Sequence, residues 1–97
     1  MATYITLIRY TQQGIQNMKE SPERLEKAKE AIKAAGGELK TFYLTMGQYD
    51  AVVISEVPDD QTMSKLLLSI GSQGSSRGET LRAFTEDEYR KIIAALP

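Results

Sequence analysis

Apolar and polar residues alternate in four segments of the chain, which is the pattern of β-strands that bury one face. The first segment, residues 2–10, is rich in tyrosine, threonine, isoleucine and leucine and contains no helix signal. Residues 38–46 and residues 49–57 alternate in the same way on either side of a two-residue turn, which predicts a hairpin. A shorter alternating run at residues 79–84 predicts a fourth strand.

A helix is predicted between the first and second strands. Ser21 can accept a hydrogen bond from unpaired amide groups, Pro22 suits the first helical position, and Glu23 favours the positive end of the helix dipole. Gly36 and Gly37 end the pattern. Apolar residues at three- and four-residue spacing give this helix one buried stripe, formed by Leu25, Ala28, Ile32 and Ala35.

Two more helices follow from the same spacing. One begins after residues 58–60, whose proline and aspartates interrupt the third strand, and we expect Gly71 to cap its end. The other begins at Thr85, which forms a capping-box pattern with Glu88 three residues later. The predicted buried stripes are Met63, Leu66, Leu67 and Ile70 in the earlier helix, and Tyr89, Ile92, Ile93 and Leu96 in the later one.

Two segments lack a regular pattern. Residues 11–19 predict a loop or one irregular helical turn, from which we expect Ile15 and Met18 to tuck under the first helix. Residues 71–78 are rich in glycine and serine, but they leave a helix and enter a strand, whereas a phosphate-binding loop does the reverse. We therefore predict a flexible loop there, with the gating of a cavity as its best functional use.

The predicted order of elements is β-α-β-β-α-β followed by a terminal helix. This order matches the ferredoxin-like split βαβ arrangement, an α+β fold whose crossover connections are right-handed. The sequence shows no internal repeat and no second unit, so we expect residues 1–97 to form a single domain.

Both faces of the predicted sheet are apolar, although the two crossover helices of this fold cover only one face. Ile5 and Leu7 alternate with other apolar residues in the first strand, and Val52 and Ile54 do the same in the third. Burying six such side chains at ~1.5 kcal/mol each contributes about 9 kcal/mol, comparable with the stability of a small domain. We therefore expect a homo-oligomer, with a symmetric dimer packed sheet to sheet. The alternative is that the terminal helix alone covers this face.

Composition narrows the possible functions. The chain has 12 basic and 13 acidic residues, so it lacks the basic surface that nucleic acids require. It contains no cysteine and no histidine, which removes disulfides, thiolate catalysis and the commonest transition-metal ligands. Its longest uncharged apolar stretch, residues 51–55, is far shorter than the ~20 residues of a membrane-spanning helix. We therefore expect a cytoplasmic protein without metal or cofactor that binds neither nucleic acid nor membrane.

The turn between the second and third strands carries a short motif, formed by Gly47, Gln48, Tyr49 and Asp50. Around this motif the chain resembles the GYD domain family, which is named for its Gly-x-Tyr-Asp element. The resemblance extends over nearly the whole chain. Its other matching positions are Gly14, Ser21, Pro22, Arg24, Gly36, Gly37, residues 42–44, residues 81–84, Thr85 and Glu88.

This resemblance implies a relation to the dimeric α/β-barrel proteins, in which two ferredoxin-like sheets face each other. That larger group includes cofactor-independent monooxygenases, small lyases and isomerases, and ligand-sensing regulatory domains. Because one fold serves unrelated functions, the resemblance does not choose among them.

Tyr49 and Asp50 are the sharpest candidates for a site, because a phenol and a carboxylate at the start of a strand can hold a polar ligand or move a proton. The alternative is local: Asp50 accepts from amides of the turn, and Tyr49 packs as a half-buried aromatic residue. Tyr10 and Tyr43 can orient a ligand in an apolar cavity, and Arg82 can meet an anion or Asp50. Core positions and a salt bridge are the alternative roles of these three residues.

Three functions remain open. The first is a small-molecule-binding or regulatory homo-oligomer, with a pocket in each subunit lined by Tyr10, Tyr43, Tyr49, Asp50 and Arg82. The second is a cofactor-independent enzyme of monooxygenase, lyase or isomerase type, in which Asp50 or Tyr49 moves a proton on a small aromatic or quinone-like substrate. The third is a structural assembly module. The first predicts a closed apolar cavity, the second a cavity holding a carboxylate with a raised pKa, and the third no cavity.

Overall fold

A computed structural model describes all residues from 1 to 97 and contains one four-stranded sheet and four α-helices. None of the helices combines the length and the apolar content needed to cross a membrane. The element order agrees with the predicted one, so the ferredoxin-like α+β fold is confirmed. The strands are β1 (Ala2–Tyr10), β2 (Glu38–Leu44), β3 (Ala51–Val57) and β4 (Ser76–Ala83), and the helices are α1 (Gln12–Gln16), α2 (Ser21–Ala34), α3 (Asp60–Gly71) and α4 (Glu86–Ala94).

The sheet is antiparallel throughout, and its strand order is β2-β3-β1-β4. Helix α2 connects β1 to β2, and α3 connects β3 to β4, so both helices cross over one face of the sheet. Their apolar stripes meet this face in a core formed by Tyr4, Ile32, Val57, Met63 and Leu66. We call the opposite face, which carries Ile5, Leu7, Val52, Ile54 and Leu81, the open face.

The open face is uncovered in the single chain. Leu81 is exposed, and the other apolar residues of this face are only half-buried. Helix α4 begins with the predicted capping box of Thr85 and Glu88, but it does not pack extensively against any strand or helix. Its apolar stripe is itself exposed. The alternative that α4 alone covers the sheet is therefore wrong, and no other element of the chain covers the open face.

Several element boundaries differ from the predicted ones. Helix α2 includes Ser21 as its first residue, and Glu20 occupies the cap position without a side-chain cap bond, because a short 3-10 turn at Met18–Glu20 leads directly into the helix. Strand β4 begins at Ser76, three residues earlier than predicted, since this residue pairs with Tyr10 at the end of β1. Part of the predicted loop at residues 71–78 is therefore strand.

The segment before α2 also differs. Ile15 and Met18 do not tuck under a helix, since 59% and 37% of their surfaces are exposed. Thr11 caps α1 by accepting from the Gly14 amide at 3.1 Å, and this turn directs Gly14 inward instead of Ile15. Gly14 packs so closely against the backbone of Ser75 that a Cβ atom would lie 2.0 Å from the Ser75 carbonyl oxygen.

Candidate functional site

A cavity of about 200 Å³ lies between the helix-covered face of the sheet and helices α2 and α3. It exists because short residues face one another across this layer, with Ala28 on α2, Ser55 on β3 and Gly78 on β4. Most of the surrounding wall is apolar. Its larger apolar residues include Ile8, Leu25, Ile32, Phe42, Val53 and Leu67.

Ser55 contributes a fully buried polar atom to the cavity wall. The residue is fully buried, with 0% of its surface exposed, and its Oγ has no hydrogen-bond partner in the protein. Leaving a buried hydroxyl unpaired costs about 1–3 kcal/mol. Thr6, the other polar residue in this part of the wall, differs because its Oγ1 lies 3.0 Å from the Oγ1 of Thr80. Ser55 is therefore the buried polar residue of this wall that the chain itself leaves unpaired.

Ser55 was not among the site residues predicted from the sequence, although the pattern of buried residues along β3 marks it. Along β3 the residues Ala51, Val53 and Val57 are buried while the residues between them are only partly covered. Reading the strand in steps of two places Ser55 on the same buried side. A serine in an otherwise apolar buried series is thus the feature that marks this site.

One end of the cavity is formed by Tyr10 and by the segment that follows α3. Gln73, Ser75 and Ser76 of the glycine- and serine-rich loop line this end. The segment is tied to β1, because the Thr11 amide donates to the Ser75 carbonyl oxygen at 3.1 Å. Gating by this loop stays a prediction.

The Gly-x-Tyr-Asp turn fastens the end of β1 to the start of β3. Gly47 has a φ of 109°, a left-handed conformation that favours glycine. The Asp50 amide donates to the Ile8 carbonyl oxygen at 2.8 Å, and the Asp50 carboxylate accepts from the Tyr10 amide at 2.9 Å. Asp50 thereby fixes the backbone of Tyr10, whose side chain lines the cavity, without lining the cavity itself.

Tyr49 lies on the side of the open face. Its hydroxyl donates to the Glu79 carboxylate at 2.9 Å, and the guanidinium of Arg9 lies 4.9 Å from the centre of its ring. The hydrogen bond to Glu79, followed by partial burial, raises the pKa of Tyr49 above its usual value. The phenol is therefore engaged outside the cavity, between two charged residues of the sheet.

Tyr43 and Arg82 do not line the cavity. Tyr43 pairs with Val52 on the open face and is 61% exposed. Arg82 pairs with Tyr4, which is six residues from Tyr10 along β1, a separation of about 20 Å at ~3.3 Å per residue. The guanidinium of Arg82 lies 4.5 Å from the ring centre of Phe84 and 5.7 Å from that of Tyr4.

The five candidate residues therefore do not meet at one place within a single chain. Tyr10, Tyr49 and Asp50 are neighbours, and only Tyr10 lines the cavity. Whether any of the five contacts a ligand stays a prediction.

Tyr4 is held by Asp60 at the end of the sheet opposite the Gly-x-Tyr-Asp turn, with a hydrogen bond of 2.5 Å from its hydroxyl to the Asp60 carboxylate. Burial, together with this bond, raises the pKa of Tyr4 to about 12. The unfolded chain releases the same proton near pH 10, so stability contributed by the protonated phenol falls as the pH rises from about 10 to about 12. We expect Tyr4→Phe to flatten the decline of the free energy of unfolding in this pH window, as measured by urea titration. Equal declines for the parent and the variant would contradict this assignment.

A model of the GYD domain matches residues 4–93 of the chain. The chain belongs to the GYD domain family. A curated relative, the glutamine synthetase and cystathionine β-lyase binding protein of Thermus thermophilus, is 30% identical over 84 residues. The match covers 86% of this chain and 88% of the relative, so the two proteins are similar over nearly their whole lengths.

Solved structures share the fold of this GYD domain. The crystal structure of TTHA0845 from Thermus thermophilus has a TM-score of 0.56 and 26% identity, with 88% of this chain and 95% of that chain covered. The feast or famine regulatory protein from M. tuberculosis, in complex with L-methionine, has a TM-score of 0.63 and 19% identity. The match covers 90% of this chain but 54% of the regulatory protein, and at this identity it shows the fold alone.

Proposed function

We propose that this GYD domain is a regulatory homo-oligomer that binds a small molecule in the cavity between its sheet and helices α2 and α3. The observation that carries the proposal is the unpaired Ser55 Oγ, which lies fully buried in the wall of a cavity of about 200 Å³. A ligand atom that hydrogen-bonds this hydroxyl offsets its cost, and apolar walls with few polar groups are typical of small-molecule sites.

The cavity favours binding over the other two functions. A structural assembly module predicts no cavity. An enzyme that uses Asp50 or Tyr49 for proton transfer requires these groups in the cavity, and no Asp or Glu residue lines it. The Asp50 carboxylate accepts from the Tyr10 amide instead, and the Tyr49 hydroxyl donates to Glu79.

The open face supports self-assembly. Its apolar residues lie on β1, β3 and β4, and no element of the chain covers them. Large exposed apolar patches on soluble proteins are typical of interaction sites. In the proposed dimer, two copies cover each other sheet to sheet, which leaves the cavity of each subunit on the outer side of its sheet.

The regulatory part of the proposal draws on the Thermus thermophilus relative, whose name describes binding to two enzymes. For this chain the proposal therefore includes binding to a second protein. Helix α4 offers a suitable surface, because its apolar stripe of Tyr89, Ile92 and Ile93 is exposed and no other helix or strand packs extensively against it.

Ser55→Ala tests the observation on which the proposal depends. In ligand-free protein, we expect the variant to be at least as stable as the parent, and up to about 1–3 kcal/mol more stable, because the removed hydroxyl is unpaired. Thr6→Val is the matched control, since it removes a buried hydroxyl that has a partner in Thr80, and it is expected to lose about 0.5–1.5 kcal/mol. Urea unfolding of protein refolded from denaturant measures both. If Ser55→Ala is as destabilised as Thr6→Val, Ser55 is already satisfied and the proposal loses its main support.

A further inference from the structure

All charged residues of the cavity wall are basic. Arg24 and Lys27 line the cavity, and no acidic residue does, although the chain contains 13 acidic and 12 basic residues. Both basic residues lie in the first half of α2, toward the end of the cavity that Tyr10 and the loop after α3 form. An anion in the cavity therefore meets cations and no carboxylate.

Arg24 is half-buried, and no carboxylate of the chain neutralises it. Its Nη1 donates to the Asn17 carbonyl oxygen at 2.9 Å, and its Nη2 lies 3.4 Å from the Gly14 carbonyl oxygen. Neither Arg24 nor Lys27 forms a salt bridge, whereas Lys29 on the same helix pairs with Glu26 at 3.3 Å. The location of Arg24 in the first turn of α2 is also unfavourable, because a cation there opposes the positive end of the helix dipole. A bound anion neutralises the charge of Arg24 and offsets its unfavourable interaction with the helix dipole. The guanidinium has five N–H donors with which to hold the anion.

Ser55 defines the other end of the ligand. It lies four residues beyond Ala51 on β3, and Ala51 pairs with Ile8 near the Tyr10 end of the cavity. These four residues correspond to about 13 Å at ~3.3 Å per residue. Between the two ends the wall is apolar, so the ligand has an apolar body with polar groups at its ends.

The volume limits the size of this body. An apolar cavity of about 150 Å³ holds one benzene molecule. The cavity of about 200 Å³ in this protein therefore has room for one ring, or a branched chain of similar volume, with a small charged group attached.

From these observations we infer that the ligand is a small organic monocarboxylate, bound with its carboxylate at Arg24 and Lys27 and its apolar body between the helices and the sheet. A hydroxyl or carbonyl group at the opposite end of the ligand hydrogen-bonds Ser55 Oγ. The inference rests on the proposed function, since it names the chemical class of the molecule that the proposed site binds.

Isothermal titration calorimetry on refolded, ligand-free protein tests the inference with four probes: benzoate, the isosteric neutral benzamide, 4-hydroxybenzoate and phenyl phosphate. We expect benzoate to bind at least tenfold more tightly than benzamide. Among the carboxylates, 4-hydroxybenzoate is expected to bind several-fold more tightly than benzoate, because its hydroxyl can reach Ser55.

Variants assign the preference to the named residues. Arg24→Gln is expected to reduce the preference of benzoate over benzamide to less than threefold, and Lys27→Gln, which changes an exposed side chain and leaves the fold intact, to reduce it by a smaller factor. Lys33→Gln is the matched control, because Lys33 is exposed on the same helix, forms no salt bridge and does not line the cavity. Ser55→Ala should keep the preference for the carboxylate and lose the advantage of 4-hydroxybenzoate.

The outcomes separate this inference from the proposed function. Benzamide binding as tightly as benzoate overturns the inference and leaves a ligand-binding cavity in place. Tighter binding of phenyl phosphate than of benzoate overturns the carboxylate assignment. Failure of all four probes to bind overturns the inference, and the mass of any molecule retained by the purified protein then decides the proposed function separately.

Discussion

Ile5→Glu is expected to convert the proposed dimer into monomers. Ile5 lies in the centre of the open face, where it pairs with Ile54 on one side and Leu81 on the other. In a sheet-to-sheet dimer the new carboxylate is buried between apolar side chains without a charged partner. An unpaired buried charge costs about 3–5 kcal/mol, so the dimer should weaken at least a hundredfold. Sedimentation velocity at micromolar protein concentration measures the change in mass.

A control separates this effect from a general effect of added charge. Leu68→Glu also replaces an apolar residue with an acid, but Leu68 lies on α3 and is 75% exposed, away from the open face. We expect this variant to keep the mass of the parent protein. A parent protein that is itself monomeric, or an Ile5→Glu variant that keeps the oligomer, would show that the open face is not the interface.

Gly14→Ala is expected to destabilise the protein by about 3 kcal/mol or more. The added Cβ would lie 2.0 Å from the Ser75 carbonyl oxygen, and the same oxygen accepts from the Thr11 amide at 3.1 Å. Because the clash is between backbone and Cβ, rotation of a side chain cannot relieve it, and α1 must move away from the start of β4. Thermal and urea unfolding monitored by circular dichroism measure the loss.

Gly71→Ala is the matched control for this prediction. Gly71 is the last residue of α3, and a Cβ atom there would have no neighbour within 4 Å. Since alanine is the better helix former, this variant should be neutral or more stable by about 0.5–1 kcal/mol. Equal losses for the two variants would contradict the close contact between Gly14 and Ser75.

The fold could be predicted because its signals are local. The alternating residues of β1 and β3, the helical stripes of α2 and α3, and the capping box of Thr85 and Glu88 each act over a few residues. The uncovered open face also followed from the sequence, because its residues are apolar where a solvated face requires polar ones.

The candidate site was harder to predict, because it depends on contacts between distant segments. A register shift in β2 between Leu39 and Thr41 changes which residues face the helices, so Leu39 and Phe42 both line the cavity. Without this bulge, Tyr43 would lie on the same side as Leu39, whereas the structure places it on the open face.

The contacts of the other candidate residues were also hard to predict, because they depend on distant segments of the chain. Tyr49, Asp50 and Arg82 were chosen for their chemistry, and the structure shows partners that the sequence did not indicate. Tyr49 binds Glu79, Asp50 accepts from the Tyr10 amide, and Arg82 lies 3.9 Å from the Asp60 carboxylate and near the rings of Tyr4 and Phe84. All of these partners except Phe84 come from other elements of the fold. The cavity itself arises where short side chains of three elements face one another, and no single segment of the sequence contains that information.

Native mass spectrometry of protein purified gently from a bacterial cytosol shows whether this GYD domain is an oligomer that carries a ligand. We expect a multiple of the 10.8 kDa subunit that carries additional small-molecule mass, which is released when the same sample is denatured. The released mass should fit one ligand in each cavity of about 200 Å³. A monomer, or an oligomer without bound mass, would contradict the claim that this GYD domain is a ligand-binding homo-oligomer.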